Sequence, residues 1–448
     1  MSDAVAHVAV RWKTMKAKRG ATDCVINRDL KLSANALQDY SAKLLTSTEQ
    51  DLVIIAGAVA YADRVIRRKR AKGWMRHIDL TVPVSSPSFW SKPEIMTALL
   101  DTIEYVSGDQ WTVHFAQGPS ETLVKKQTSL DFKRENYVVL PFSDGMDSFL
   151  QWQLLKKEEP DANILRVHTS SRASNGKRNT AIDDHGDRTD QRLAMPVSFG
   201  KLDHAEPTYR TRTFLFFVIA ALAAHKFKAK RVVIGENGIG MLGPGLVPFG
   251  DECPHRTTHP AFTRRLSVFL NRVLETKLEF DHPQKFRTKG QVLAHAVKSG
   301  VTGWDKTHSC TRDRRTKFGG LPCGVCGGCL LRRTAVHAAG LPDGPYFWDN
   351  LSGKTLDDCR RDETGRASKP NDIDIGHHGI FDMSAFAELA SPTVPLEVFD
   401  RAAWEIVGKA DASLAPMAAN VKTLAQAHAA EWKAFREKYS AEGFLNAC

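Results

Sequence analysis

Apolar positions along the chain fall into two spacings. Alternating or short continuous apolar runs at 77–84, 111–115, 137–140, 164–168, 195–199 and 231–235 predict β-strands. Steps of three and four residues at 51–68, 92–105, 149–155, 213–225, 262–274, 394–408 and 414–439 predict helices. From residue 137 onward the two kinds alternate, which predicts a parallel sheet covered on both faces, with ligands at the carboxyl ends of its strands. On that reading the turn after 137–140, His168 after the second strand, and Glu236 and Asn237 after the fourth should converge.

Before residue 130 the pattern predicts a separate α/β domain whose role is packing or meeting a partner. Its helix 51–68 is expected to bury an apolar side and to turn Arg64, Arg67 and Arg68 outward. After residue 341 the elements are helical, and Val421, Leu424, His428, Trp432 and Phe435 form a packing stripe. Three stretches read as loops. Residues 170–191 are polar and aperiodic, either a lid or a plain insertion; 244–260, with Cys253, His255, Arg256 and His259, reads as a pocket-lining loop; 355–378 is charged, with His377 and His378 exposed.

The strand, small polar turn and helix of YVVLPFSDGMDSFLQWQLL (137–155) can close backbone N–H groups on an anion, with the positive helix end behind them. Taken alone, the turn also fits an Asp/Ser helix cap. The order Ser143, Asp144, Gly145, Met146, Asp147, Ser148 resembles the SGGxDS signature of PP-loop enzymes, which cleave ATP to AMP and pyrophosphate. Asp144 stands where that signature has glycine, and a carboxylate there repels phosphate unless it holds Mg²⁺.

A second anchor is SCTRDRRTKFGGLPCGVCGGCLLR (309–332). Cys310, Cys323, Cys326 and Cys329 supply four thiolates, three of them in overlapping CxxC steps, and this is the ligand set of a closed structural zinc site. Gly324, Gly327 and Gly328 are expected to let the backbone wrap the ion. A redox CxxC is the alternative.

Both anchors in this order resemble the QueC family, the 7-cyano-7-deazaguanine synthases. Between them Thr211–Phe214 resembles the family's ARN segment, Ile234–Asn237 its IGVN strand end, Pro260–Phe262 its PEF helix start, and Thr288–Lys289 its KAE segment, covering roughly half of the chain from 135 to 341. Gly290 and Gln291 replace the family's Ala and Glu, and Thr257, Thr258 and His259 replace an acidic, Cys and Arg run, which puts a nitrile-forming step in doubt. The length and the long N-terminal region look like QatC, the QueC-like component of bacterial Qat anti-phage defence systems.

The resemblance implies an α/β fold: a PP-loop (adenine nucleotide alpha hydrolase-like) core at 131–341 with a zinc knuckle at 310–332, an N-terminal α/β domain at 1–130 and a helical region at 342–448. It implies ATP, Mg²⁺ and Zn²⁺, with Phe142, Ser143, Asp144, Gly145, Met146, Asp147, Ser148 and His168 on the nucleotide. Asp147 would orient the loop or the metal, Arg212 and Lys289 would meet the phosphates, and Gly235, Glu236, Asn237 and His259 would meet a deazapurine carboxylate. The resemblance further implies that the activated carboxylate would pass to an amine, of ammonia or of a partner protein from the same defence operon. A housekeeping synthase of queuosine biosynthesis, a tRNA-modifying PP-loop enzyme and a non-catalytic zinc scaffold are the other readings.

Composition narrows this further. Hydrophobic residues are 42% and charged residues 25% of 448, the balance of a soluble globular protein. The net charge of +11 suits ATP, nucleic acid or an acidic partner, but its cations are spread over 64–76, 172–192, 312–317 and the last helix instead of forming one block. Eight cysteines, four of them clustered, and no uninterrupted apolar run behind the basic N-terminus imply a reducing, cytoplasmic setting, with Cys24, Cys253, Cys359 and Cys448 as free thiols.

Overall fold

A computed structural model describes residues 5–35, 37, 44–69, 73–119, 123, 135–143, 145–169, 191–200, 205–247, 252–312, 318–362, 366–409 and 412–447. Asp144, Cys448 and all but the last residue of the 170–191 loop lie outside the described residues. The chain divides into two compact units. Unit 1 comprises Met1–Ser143, Glu159–Ile234 and Pro248–Pro283; unit 2 comprises Asp144–Glu158, Gly235–Val247 and Gln284–Cys448.

Unit 1 holds two parallel sheets. The first contains β1 (Ala6–Arg11), β2 (Thr22–Val25), β4 (His77–Val84) and β5 (Gln110–Gln117) in the order β2-β1-β4-β5. The second contains β6 (Tyr137–Pro141), β7 (Asn163–His168), β8 (Gln191–Ala194), β10 (Arg231–Val233) and β11 (Glu279–Asp281) in the order β11-β10-β6-β7-β8. Its register sets Val139 beside Leu165 and Val232. All four apolar residues Tyr137 to Leu140 are buried, as a central strand covered on both faces requires.

The expected strand 195–199 is instead two pieces. β8 ends at Ala194, and β9 (Val197–Phe199) pairs antiparallel with β3 (Leu30–Leu32), outside the large sheet. Pro196 lies between the two pieces, and a residue without an N–H cannot continue the ladder.

One hydrophobic cluster runs from Val8 through the N-terminal strands, the helix Ser47–Val65, the second sheet and the helix Arg212–Lys226 to Leu278. The helix 47–65 packs on the helix 212–226, and Glu49 at its start pairs with Lys226 at 2.6 Å. A buried charge network joins the same segments. Asp109 binds Arg68 and Arg76, each at 2.6 Å, while Asp63 accepts from Arg76, from the Arg210 and Thr211 backbone N–H groups at 2.8 and 2.9 Å, and from the Thr211 hydroxyl at 2.9 Å. Arg68 is therefore buried at 5% exposure and does not face solvent as its helix pattern predicts. The ion pairs supply the force that the hydrophobic period does not record.

Unit 2 carries the helices Met146–Glu158, Gly238–Leu246, Lys289–Lys298, Gly327–Ala338, Pro370–Glu388, Leu396–Val407 and Leu414–Glu437. The predicted stripe Val421, Leu424, His428, Trp432 and Phe435 is buried throughout, with His428 against the Met383 carbonyl at 2.9 Å. Helix 370–388 takes in the last part of the expected charged loop 355–378, with His377 and His378 exposed on it as expected. Pro370 opens it, and its buried face of Gly376, Gly379, Ile380, Met383 and Phe386 has helical spacing once the glycines count as packing positions. Among the described residues no helix is long and apolar enough to cross a membrane.

Candidate functional site

Three helices of unit 2 begin at one polar cluster. Asp147 lies in the first turn of Met146–Glu158, Asn237 is the N-cap of Gly238–Leu246, and Lys289 is the first residue of Lys289–Lys298. Each start is locally encoded. The Asn237 side-chain oxygen accepts from Ile239 and Gly240 N–H at 3.0 and 3.2 Å, and Thr288 forms a capping box with Gln291. The side chains then join across the chain: Lys289 Nζ donates to Asp147 Oδ2 at 2.5 Å, and Asn237 Nδ2 donates to Asp147 Oδ1 at 2.9 Å and to Glu236 Oε1 at 2.8 Å. Three positive helix ends and a buried lysine make a place where an anion is stabilised.

Desolvation first and the Asp147 charge second push the Glu236 carboxyl up to about 8, so it keeps its proton at neutral pH and can donate a hydrogen bond. Gly235 sits where a Cβ would meet Gln151 Cβ at 2.9 Å and the Asp147 carbonyl oxygen at 3.1 Å, so only glycine lets this segment reach the start of helix 146–158. The Ser148 hydroxyl donates to the Gly145 carbonyl at 3.1 Å, and the Met146 side chain is fully buried, part of the packing under the turn.

Glu431, from the last long helix, enters the same neighbourhood. Its carboxylate accepts from the Thr288 hydroxyl, and a Cβ on Gly290 would lie 2.7 Å from Glu431 Oε1. Burial pushes this carboxyl up to about 7. No periodicity in 414–437 distinguishes Glu431 from a surface residue; the glycine at 290 is the one signal, since a missing Cβ marks a close approach.

Unit 1 contains a cavity of about 680 Å³. Phe142 and Ser143 at the end of β6, His168 after β7, and Tyr209 and Arg212 at the start of helix 212–226 line it, together with Ala60 and Arg64 from helix 47–65. His168 Nδ1 lies 2.9 Å from the Phe142 carbonyl oxygen, which ties the two strand ends together. The helical pattern predicts Arg64 facing solvent; it is half-buried at this wall. His259 is elsewhere. It caps helix Pro260–Leu274 through Nδ1 to the Ala261 N–H at 3.1 Å, and its ring stands beside Tyr105, whose hydroxyl lies 3.3 Å from Nδ1. None of residues 252–259 lines the cavity.

The sulfurs of Cys310, Cys323, Cys326 and Cys329 all lie within 4.8 Å of one another, and Cys323 Sγ to Cys329 Sγ is 3.8 Å. A tetrahedral ion with Zn–S near ~2.3 Å needs sulfurs about 3.8 Å apart, so the group fits zinc. Backbone N–H groups of Cys323 and Cys326 point at Cys310 and Cys323 sulfurs at 3.4 Å. Hydrogen bonding among the four sulfurs lowers the thiol pKa of Cys326 and Cys310 and raises that of Cys323 and Cys329. Gly324, at φ +93°, and Gly328 are sterically obligatory, each with a backbone carbonyl oxygen 2.3 Å from where a Cβ would be; Gly327 has open space and is not. Among the described residues Cys24, Cys253 and Cys359 form no disulfide.

Residues 188–340 match the family model described as queuosine biosynthesis protein QueC. The chain is 30% identical over 134 residues to a 7-cyano-7-deazaguanine synthase of Desulfatibacillum aliphaticivorans, covering 30% of the chain and 53% of that protein. It is 31% identical over 102 residues to the synthase of Paracoccus denitrificans (22% and 41%) and 29% over 145 residues to that of Syntrophobacter fumaroxidans (32% and 57%). The chain thus spans about half the length of these curated relatives. The family-model match contains Arg212, Glu236, Asn237, Lys289 and the four cysteines, and begins after the 142–148 turn.

Proposed function

We propose that this chain is a QueC-like, ATP-dependent enzyme that adenylates the carboxylate of a 7-carboxy-7-deazaguanine-type substrate and passes it to an amine. The observation that carries this reading is the joining of Asp147, Asn237 and Lys289 at three helix N-termini, from positions 90 and 142 residues apart in sequence. A hydrogen-bonded set at three positive helix ends is what a departing pyrophosphate needs. The similarity of residues 188–340 to the QueC family supplies the substrate class.

In the proposed reaction a substrate carboxylate oxygen attacks the α-phosphorus of ATP, the bond from that phosphorus to the bridging oxygen breaks, and pyrophosphate leaves. The amine nitrogen then attacks the acyl carbon, AMP departs and the nitrogen loses a proton. Lys289 and the helix ends neutralise the charge that moves onto pyrophosphate, Asp147 holds Lys289 in place, and Mg²⁺ carried with the triphosphate would add to that neutralisation. Phe142, Ser143 and His168 are proposed nucleotide contacts, and Gly235, Glu236 and Asn237 proposed substrate contacts. Zinc at the four cysteines fits a structural part, since all four positions of a tetrahedron are filled by protein.

The long N-terminal region, outside the family-model match, supports a QatC-like setting in anti-phage defence, with a protein amine as acceptor in place of ammonia. The test is to incubate the enzyme with ATP, 7-carboxy-7-deazaguanine and candidate partner proteins and to weigh the proteins by mass spectrometry. A partner heavier by one deazaguanine acyl group is the expected result. Unchanged masses with free amide or nitrile would assign the acceptor as ammonia, and unconsumed ATP would refute the proposal.

A further inference from the structure

Arg64 stands beside the unit 1 cavity at the end of a helix that the QueC-family match does not reach. Its guanidinium lies over the Tyr209 ring, 4.6 Å from the centroid, and the Arg212 guanidinium lies over Phe216 at 5.0 Å. Neither guanidinium has an ion pair or a side-chain hydrogen bond among the described residues. The described lining includes no Asp or Glu, so two arginines and His168 face a cavity without a compensating acid there. An arginine that is stacked on a ring but not ion-paired keeps its donor fork for a ligand.

The arrangement is held in place by the neighbouring residue. Asp63, fully buried, binds the backbone of Arg210 and Thr211, and the Glu206 N–H donates to the Arg64 carbonyl at 2.7 Å. The turn that carries Tyr209 and Arg212 is thereby fixed to the turn that carries Arg64. Aromatic walls with two cations select a flat heteroaromatic molecule bearing an anionic group.

We infer that Arg64 is a ligand-binding residue of this cavity, contacting the phosphate or carboxylate of a purine-like ligand, so that the N-terminal segment completes the binding site. This inference rests on the proposed function, which supplies two ligands of that chemistry, ATP and 7-carboxy-7-deazaguanine.

The experiment is calorimetric titration of the full chain with α,β-methylene-ATP and, separately, with 7-carboxy-7-deazaguanine. Arg64→Ala and the longer, neutral Arg64→Gln are expected to weaken one of the two at least about tenfold, with Arg64→Lys intermediate. Arg67→Ala, whose side chain is exposed and does not line the cavity, should bind as wild type does. The ligand affected identifies which anion Arg64 meets. Thermal melts matching wild type establish that a loss is not unfolding, and Arg64→Gln keeps the aliphatic stem should the alanine variant prove unstable. Wild-type affinity of both Arg64 variants for both ligands would overturn the inference while leaving the proposed function intact. Binding of neither ligand by the wild type would overturn both.

Discussion

Glu431 shows how one side chain can carry a pH dependence for the whole unit. Its carboxyl is pushed up to about 7 from 4.5 by burial, so between those values the folded protein binds more protons than the unfolded chain. Stability contributed by such a group is present at low pH and falls as pH rises through that window, levelling off above it. Glu431→Gln should remove this slope. Relative to wild type it is expected to be near neutral at pH 5 and more stable at pH 8, by up to roughly 3 kcal/mol, each tenfold change in proton affinity being worth ~1.4 kcal/mol. Denaturant titrations at the two pH values measure this, and parallel pH profiles for variant and wild type would contradict it. Glu236 titrates in an overlapping range, so the difference between the two proteins is the quantity to read.

At the same scale, the legible residues are those whose chemistry is local. The four cysteines announce themselves by spacing, and Asp147, Asn237 and Lys289 by short segments that resemble those of the PP-loop and QueC families, while the helices starting at 238 and 289 carry no such signal. Arg64 and Arg68 mislead because a helical period says which side is apolar, not that Arg64 will stack on Tyr209 or that Arg68 will find buried acids. Asp63, from the same predicted helix, and Asp109, 41 residues beyond Arg68, draw that side chain inward, pairings that a hydrophobic period does not record.

Among the elements, strands and helices with strong period emerge close to their expected bounds. His77–Val84 alternates and is a strand over that same range, and 213–225 is the buried helix Arg212–Lys226. Elements escape the pattern where small residues do the packing. In Pro370–Glu388 a Cβ on Gly379 would stand 3.0 Å from both the Val325 carbonyl oxygen and the Gly327 N–H nitrogen, so the helix backbone itself lies against the cysteine segment. Hydropathy gives glycine no weight there. The same closeness bears on the metal. Helix Gly327–Ala338 starts at Cys326 and carries Cys329 in its first turn, so loss of one sulfur removes the cross-link that anchors that helix start. Cys326→Ser is therefore expected to lose bound zinc and soluble protein together, measured by elemental analysis of the purified fraction. A well-folded, metal-free variant would show that the thiolates do not stabilise this unit.

Across the molecule, the chain passes repeatedly between its two units, so that segments distant in sequence share a core. The expected divisions at 130 and 341 follow the extent of the family resemblance, whereas the units follow packing, and one hydrophobic cluster carries residues from Val8 to Leu278. A linear reading sees the alternation of strands and helices that predicts parallel sheets. It does not see which early helix will lend residues to a cavity lined by later strands, because that is decided by the buried contacts of Asp63, Arg76 and Glu49. The proposed activity requires that ATP be split between its α- and β-phosphorus atoms with a carboxylate as attacking group. Incubating the purified chain with α-labelled ATP, 7-carboxy-7-deazaguanine and ammonium as the amine measures this directly. Equal amounts of AMP and pyrophosphate, formed only when the carboxylate compound is present and lost in Asp147→Asn, are the predicted result; ADP with phosphate, or no cleavage under any of these conditions, would contradict it.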